Sequence, residues 1–503
     1  MNIAELQEQS LKNFGEYEST WFDNKWYTNL ETYTMAKRLS KGLESLGVTK
    51  GDRIVMLMPN CIEVSVVFNG IWGLGAVAVP VLFLLSPKEI AYILSASSPK
   101  VLITTTEVYE KAKEAIELSR SLPYMICVGK SEDNCIEFAE ITGNGERPIE
   151  ECNESELAAI LFTSGTTGAP KGVMLSHGNI YSNALASLSV LNRKPGTVAL
   201  ACLPMAHSYG MISTIVGNLA GMKGVLMKWF DPALALELIE RFRVEETAMV
   251  PTMLVYLLNH PDSDVRDLSS LQRVTCAAAP LPKEVQKAFE EKFKCKVLQG
   301  YGLSEASPAV ALNTPEESRE GSVGKPLPGV QVKIVNEAGQ EQPRGQLGEI
   351  VVKGPNVMLG YYNMPEQTAE IIKDGWLYTG DLGYIDEDGF LYVVERKKDL
   401  IIRGGFNILP GDIEQTLMRH PAVLEAAVVG YPDKVLGEEV AAFVVTKPNM
   451  SVSEEELIMY CQQHIAKFKC PKKIVFKESL PKNLIGKVAK KYLREEIALM
   501  LSQ

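Results

Sequence analysis

Thr163-Ser164-Gly165-Thr166-Thr167-Gly168-Ala169-Pro170-Lys171-Gly172 is the stretch on which the reading of this chain turns. An apolar run, Leu157 to Phe162, leads into it and predicts a buried strand. Three glycines, four hydroxyl side chains and one lysine then fall within ten residues. Glycine lets a backbone turn sharply and present its N–H groups. Such N–H groups, with hydroxyls and an ammonium, are what a polyphosphate needs. The spacing is not that of the Walker loop, because Gly172 follows Lys171 where Ser or Thr would be required.

Working outward, strands and helices alternate. The pattern predicts helices over 32–46, 62–74, 87–95 and 107–119. It predicts strands over 53–58, 76–81, 101–104 and 124–128. Ser86-Pro87 reads as an N-cap with proline in the first turn. Such alternation implies mostly parallel sheet covered by helices. Residues 130–156 are polar and predict a surface connection. Beyond the glycine-rich stretch, helices are expected over 179–191, 232–243 and 283–293, with strands near 203 and over 247–250, and a strand from Val274 running into a small-residue loop, Cys276 to Pro280. After about Gly321 the pattern changes to antiparallel strands with turns. The last hundred residues read as a small α+β unit, and Ser453 with Glu456 has capping-box spacing.

The bulk numbers narrow the class. A chain of 503 residues predicts two or more domains, since single cores rarely grow past roughly 250–300 residues. A net charge of −11 argues against nucleic acid as the main partner. The nine cysteines show neither CxxC spacing nor a Cys/His cluster, so no zinc site is expected. Scattered thiols and a polar start, Met1-Asn2-Ile3-Ala4-Glu5, fit a cytoplasmic protein without a signal peptide. Val64 to Pro87 carries no charge and is long enough to span a bilayer. It contains Asn69, Gly70, Gly73, Gly75 and Pro80, so a buried helix and a buried strand are expected there. Peripheral association with a membrane, and a monomer or a homodimer, stay open.

At the glycine-rich stretch the chain resembles the adenylate-forming enzymes, which include acyl- and aryl-CoA synthetases. The resemblance covers nearly the whole chain, and five motifs occur in family order. It implies a large N-terminal domain of mixed α/β sheets with a β-rich subdomain, residues 1–395. A small mobile α+β lid, residues 396–503, would hinge near Lys398. It also implies ATP, Mg²⁺, coenzyme A and a small carboxylic acid as ligands.

The residue roles follow from the resemblance. Thr163, Ser164, Gly165, Thr166, Thr167 and Lys171 would hold the β- and γ-phosphates. His207 would lie beside the α-phosphate and the acid's carboxylate. Gln299, Gly300, Tyr301 and Ser304 would bind the nucleotide, with Tyr301 against adenine. Glu305 and Thr167 would ligate Mg²⁺. The family usually has Thr at the place of Ser304. Asp381 would accept both ribose hydroxyls and Arg396 would reach the same sugar. The family usually has glycine where Glu395 stands. Lys487 resembles the catalytic lysine, although Asn483 and Ile485 depart from the usual Thr and Ser. Gly404 and Gly405 resemble the loop along which pantetheine approaches, and Asn407 would face the nucleotide.

The acid's tail would pass Tyr209, Ala278, Gly300 and Gly302. None carries a charge, so a hydrophobic acid is expected, with a medium or long fatty acid favoured over an aromatic or alicyclic one. Gly302 stands where acetate-specific relatives have tryptophan, which implies an open pocket. A stand-alone adenylation enzyme loading a carrier protein would share these motifs. A non-catalytic nucleotide-binding protein would not need Lys171, Glu305, Asp381, Arg396 and Lys487 together.

Overall fold

The computed structural model describes residues 1–129, 135–143, 145–163, 170–482 and 488–502. The charge-free stretch resolves as expected. Helix Ile62–Gly73 is buried nearly throughout, and strand Val77–Val81 is buried at every position. Trp72 Nε1 donates to Ala158 O at 3.0 Å, which ties this helix to the strand leading into the glycine-rich stretch. Among the described residues no helix is long and apolar enough to cross a membrane.

Two sheets build the larger part of the chain. The first has eight strands in the order 360–361, 171–176, 157–163, 77–81, 53–57, 101–105, 124–128, 136–137. Its strands from 77–81 to 136–137 run parallel, as the alternating pattern predicts, with helices Ile62–Gly73, Pro87–Ser97 and Tyr109–Ser119 in the connections. Ser86 caps the second of these helices, and its own N donates to Glu89 Oε2 at 2.8 Å. The second sheet has nine strands in the order 325–326, 309–312, 296–302, 273–276, 246–249, 198–201, 223–226, 18–22, 25–28.

Contacts divide the chain into two compact units. One comprises Met1–Leu281, Val285–Val332 and Val352–Leu377; the other comprises Pro282–Glu284, Lys333–Val351 and Tyr378–Gln503. The second unit carries most of an antiparallel sheet built on strands Gly348–Lys353, Trp376–Ile385 and Leu391–Arg396. It also holds a sheet in which Val423–Asp433 pairs with Gly437–Thr446, covered by helices Pro410–Met418, Glu454–His464 and Lys490–Ser502.

Three expectations need adjusting. Residues 136–141 are not a plain surface connection: they form a short strand and a short helix with Phe138 and Ile141 buried. Gln299 to Gly302 lie within strand Lys296–Gly302 instead of following it. Ser453 Oγ accepts from Glu456 N at 3.1 Å, but the Glu456 carboxylate lies 3.7 Å from His420 Nε2, so the capping pair is one-sided.

Candidate active site

The glycine-rich stretch joins two antiparallel strands, Leu157–Thr163 and Lys171–Ser176, in which Thr163 and Lys171 are cross-strand partners. Ser164, Gly165, Thr166 and Thr167 lie outside the described residues. Lys171 begins the second of these strands, and its Nζ sits 4.8 Å from the centre of the Tyr361 ring. Tyr361 comes from the two-residue edge strand Gly360–Tyr361, which pairs with Val173 and Met174. Its hydroxyl donates to Glu305 Oε1 at 2.9 Å. Burial first, then the charge of Glu305, raise the Tyr361 phenol above its ordinary pKa, so it stays a donor.

Glu305 and Ser304 form the short turn after strand Lys296–Gly302. Met358 N donates to Glu305 O at 2.9 Å, which anchors the turn. Ser304 Oγ is 3.2 Å from Ser208 Oγ. Ser208 opens helix Ser208–Leu219, for which His207 is the N-cap. Tyr209 N donates to His207 Nδ1 at 3.2 Å, which leaves the ring N–H on Nε2. One continuous path therefore joins Lys171, Tyr361, Glu305, Ser304, Ser208 and His207. The sequence placed four of these in three motifs, Ser304 and Glu305 sharing one; Tyr361 and Ser208 it did not single out. A two-residue strand has no periodicity by which Tyr361 could have been found.

Gln299 is buried, with its Nε2 donating to Gln286 Oε1 at 2.7 Å. Tyr301 is half-buried and pairs with Ala311 across the antiparallel strands. Tyr209 points its hydroxyl at Thr275 O, 2.9 Å away, and burial raises its pKa, so the phenol is neutral. Ala278 holds φ of +76°, a left-handed conformation unusual for alanine, within the small-residue loop Ala277–Ala279. At Gly300 a Cβ would come 2.8 Å from Leu312 Cδ1. At Gly302 it would come 2.0 Å from Pro308 O. The space beside Gly302 on its Cβ side is thus filled by backbone. The glycine permits this close approach of the two strands.

The second unit gathers the remaining motif residues. Asp381 and Arg396 are partners across strands Trp376–Ile385 and Leu391–Arg396, with Arg396 Nε 3.4 Å from Asp381 Oδ1. Asp381 is 7% exposed. Lys398 follows in a short turn and is exposed. Partial desolvation first, then the Arg396 guanidinium, bring its pKa down to about 8. Gly404 and Gly405, at φ of +58° and +84°, form the tip of a hairpin between strands Ile401–Arg403 and Phe406–Ile408. Two successive left-handed residues suit glycine in such a turn. Asn407 is exposed on the second strand. Lys487 lies outside the described residues; the flanking Lys482 and Val488 form a β-bridge that brings the chain on either side of it together.

A hard cation fits the donors around Glu305. Tyr361 engages one carboxylate oxygen, and Mg²⁺ is commonly bound through one or two carboxylates plus substrate phosphates. Among the described residues no cluster of three or more His, Cys, Asp or Glu forms an all-protein cage.

A family model described as "AMP-binding enzyme" matches residues 7–362, and one described as "AMP-binding enzyme C-terminal domain" matches residues 412–487. The long-chain-fatty-acid–CoA ligase of Bacillus subtilis is 34% identical over 98% of this chain and 94% of its own. The 4-coumarate–CoA ligase 1 of Solanum tuberosum is 35% identical over 99% and 94%. An anthranilate–CoA ligase crystallised with anthranoyl-AMP superposes with a TM-score of 0.95, at 27% identity, over 100% of this chain and 98% of that one. ATP-bound MatB from Rhodopseudomonas palustris superposes with a TM-score of 0.90, at 31% identity, over 99% of both chains. The chain belongs to the AMP-binding enzymes, the adenylate-forming superfamily, and is an acid–thiol ligase. Use of ATP and coenzyme A fits this family.

Proposed function

We propose that the chain activates a hydrophobic carboxylic acid, with a medium or long fatty acid favoured, and transfers it to coenzyme A. In the first half-reaction a carboxylate oxygen bonds to the α-phosphorus of ATP and the bond to the β-phosphate oxygen breaks. Acyl-AMP and pyrophosphate result. Lys171 and the hydroxyls of the glycine-rich stretch hold the β- and γ-phosphates. His207, with its N–H on Nε2, donates toward the acid's carboxylate and the α-phosphate. Glu305 and Thr167 would hold Mg²⁺, which would supply charge neutralisation for the phosphates. Lys487 adds a cation where charge grows in the transition state. Asp381 and Arg396 hold the ribose, and Gln299, Gly300 and Tyr301 the base.

In the second half-reaction the thiol sulfur bonds to the acyl carbon, the bond to AMP breaks, and the thiol proton passes to solvent. The lid, residues 396–503, turns at Lys398 between the two steps and brings Gly404, Gly405 and Asn407 to the site. The observation that supports adenylation most strongly is the path of contacts from Lys171 through Tyr361 and Glu305 to His207. The neutral Tyr209 phenol and the alanines at 277–279 offer the acid no charge partner. An aromatic or alicyclic acid is the second reading, supported by the 4-coumarate–CoA ligase relatives. The scattered thiols support a cytoplasmic setting.

The test is acid-dependent pyrophosphate release and thioester formation over C2 to C16 fatty acids, benzoate, 4-coumarate and succinate. Values of kcat/KM should rise by up to about fourfold per methylene, the equivalent of about 0.8 kcal/mol, until the pocket fills. Preference for acetate or succinate would overturn the assignment, and transfer to a carrier protein but not to free coenzyme A would move the acceptor.

A further inference from the structure

Glu395 is the residue before Arg396, at the end of strand Leu391–Arg396, and its side chain is only 11% exposed. Its Oε1 accepts from Arg396 N at 3.0 Å, and its Oε2 accepts from Gly411 N at 3.1 Å. The same Oε2 lies 3.9 Å from Lys490 Nζ. Lys490 opens helix Lys490–Ser502, three positions after Lys487. Its ammonium also reaches Glu414 Oε1 at 2.9 Å, and that oxygen accepts from Val428 N at 2.8 Å. One turn along the helix, Arg494 pairs with Asp399. The helix after Lys487 is therefore held to residues on both sides of Lys398.

The two carboxylates around Lys490 differ in one respect. Glu414 and Lys490 both follow Lys398 in the chain, so a turn at Lys398 carries them together. Glu395 precedes Lys398, so the same turn separates it from Lys490 and from Gly411. Burial alone would push the Lys490 ammonium down, but Glu414 and Glu395 hold its pKa above the ordinary lysine value. A buried ammonium that loses one of two carboxylates loses much of what compensates its desolvation. The arrangement that keeps Glu395 on Lys490 also places the start of this helix beside the strand end bearing Arg396, the partner of Asp381.

We propose that Glu395 and Lys490 are positioning residues for adenylation, forming a latch across the hinge that ties the helix after Lys487 to the strand carrying Arg396. The latch must open before thioester formation. It acts through Lys487 and touches no reacting atom. It rests on the reading of Lys487 as the adenylation lysine and of Lys398 as the hinge. A glycine at position 395 could not supply it, so the departure noted in the sequence has a use.

The experiment measures both half-reactions in single turnover: acid-dependent pyrophosphate formation, and conversion of synthetic acyl-AMP plus coenzyme A to thioester. Glu395→Gln keeps the shape and loses the charge. It should slow adenylation roughly tenfold, within the usual range of coupling between states, with the KM for ATP unchanged. Thioester formation should be unchanged or faster. Lys490→Met should act in the same direction, and Glu395→Asp should recover part of the rate. The ratio of the two rates in one preparation is the readout, because a partly unfolded variant loses both together. Equal loss in both assays, or loss confined to thioester formation, would overturn the latch. Lys487→Ala is the control and should lose adenylation by about 10²–10³. If it does so while Glu395→Gln leaves the ratio unchanged, the latch fails alone. If Lys487→Ala still adenylates, the reading of the reaction fails and the latch with it.

Discussion

Tyr361 joins Lys171 and Glu305, the two charges proposed to act on the phosphates and Mg²⁺. Its ring lies under the Lys171 ammonium and its hydroxyl holds Glu305. A hydroxyl bonded to a charged carboxylate contributes more than a neutral pair, about 1.5–3 kcal/mol. Tyr361→Phe keeps the ring and removes that bond, so the affinity for Mg·ATP should fall roughly tenfold. Tyr361→Leu also removes the ring, and a cation–π contact adds about 0.5–1 kcal/mol, a further few-fold. Titration of nucleotide binding, with and without Mg²⁺, reads both. Equal affinity in wild type and Tyr361→Phe would mean that Glu305 keeps its orientation without the tyrosine. Lys171 and Glu305 were visible in the sequence because each sits in a motif with several neighbours. Tyr361 was not, because its only signal is its place in the folded sheet.

The strand pair Lys296–Gly302 and Ala309–Leu312 shows what a motif glycine does as part of an element. The register shifts between Tyr301 and Gly302, and the Gly302 backbone there meets Pro308 O. A methyl at this position has no flexible side chain to displace, only backbone. Gly302→Ala should therefore lower stability by about 2–4 kcal/mol, in the range of severe overpacking, and raise the KM for ATP. Chemical denaturation and steady-state kinetics test this together. A variant as stable as wild type, with altered chain-length preference, would support the pocket role expected from the sequence instead. Gly404 and Gly405 were singled out by the family resemblance, and they form the tip of a hairpin at left-handed φ.

Across the whole molecule, the chain's first residues are tied to its middle. Ile3 N donates to His177 Nδ1 at 3.1 Å, and His177 is 1% exposed at the start of helix His177–Leu191. Burial lowers the His177 pKa from 6.5 to about 4. The unfolded chain thus binds this proton more readily than the folded one. The stabilising difference is complete above about pH 6.5 and is lost as pH falls towards about 4. A shift of this size corresponds to about 3 kcal/mol as an upper figure. Denaturant midpoints between pH 7 and 4.5 should fall more steeply in wild type than in His177→Gln. Parallel slopes would show that His177 is not a source of the acid sensitivity.

Local composition determined much of this protein. Alternating apolar runs specify the parallel strands and their helices. Glycine, hydroxyl and lysine spacing marks the proposed phosphate site, and the ordered motifs mark the family. These signals survive in one dimension because each arises from neighbours in the chain. The tertiary structure alone decided which side chains meet. The Tyr361 bridge from Lys171 to Glu305, the filled space at Gly302, and the sharing of Lys490 by Glu395 and Glu414 join residues far apart in the chain. Such contacts depend on how sheets and helices pack, and no local period or propensity encodes that.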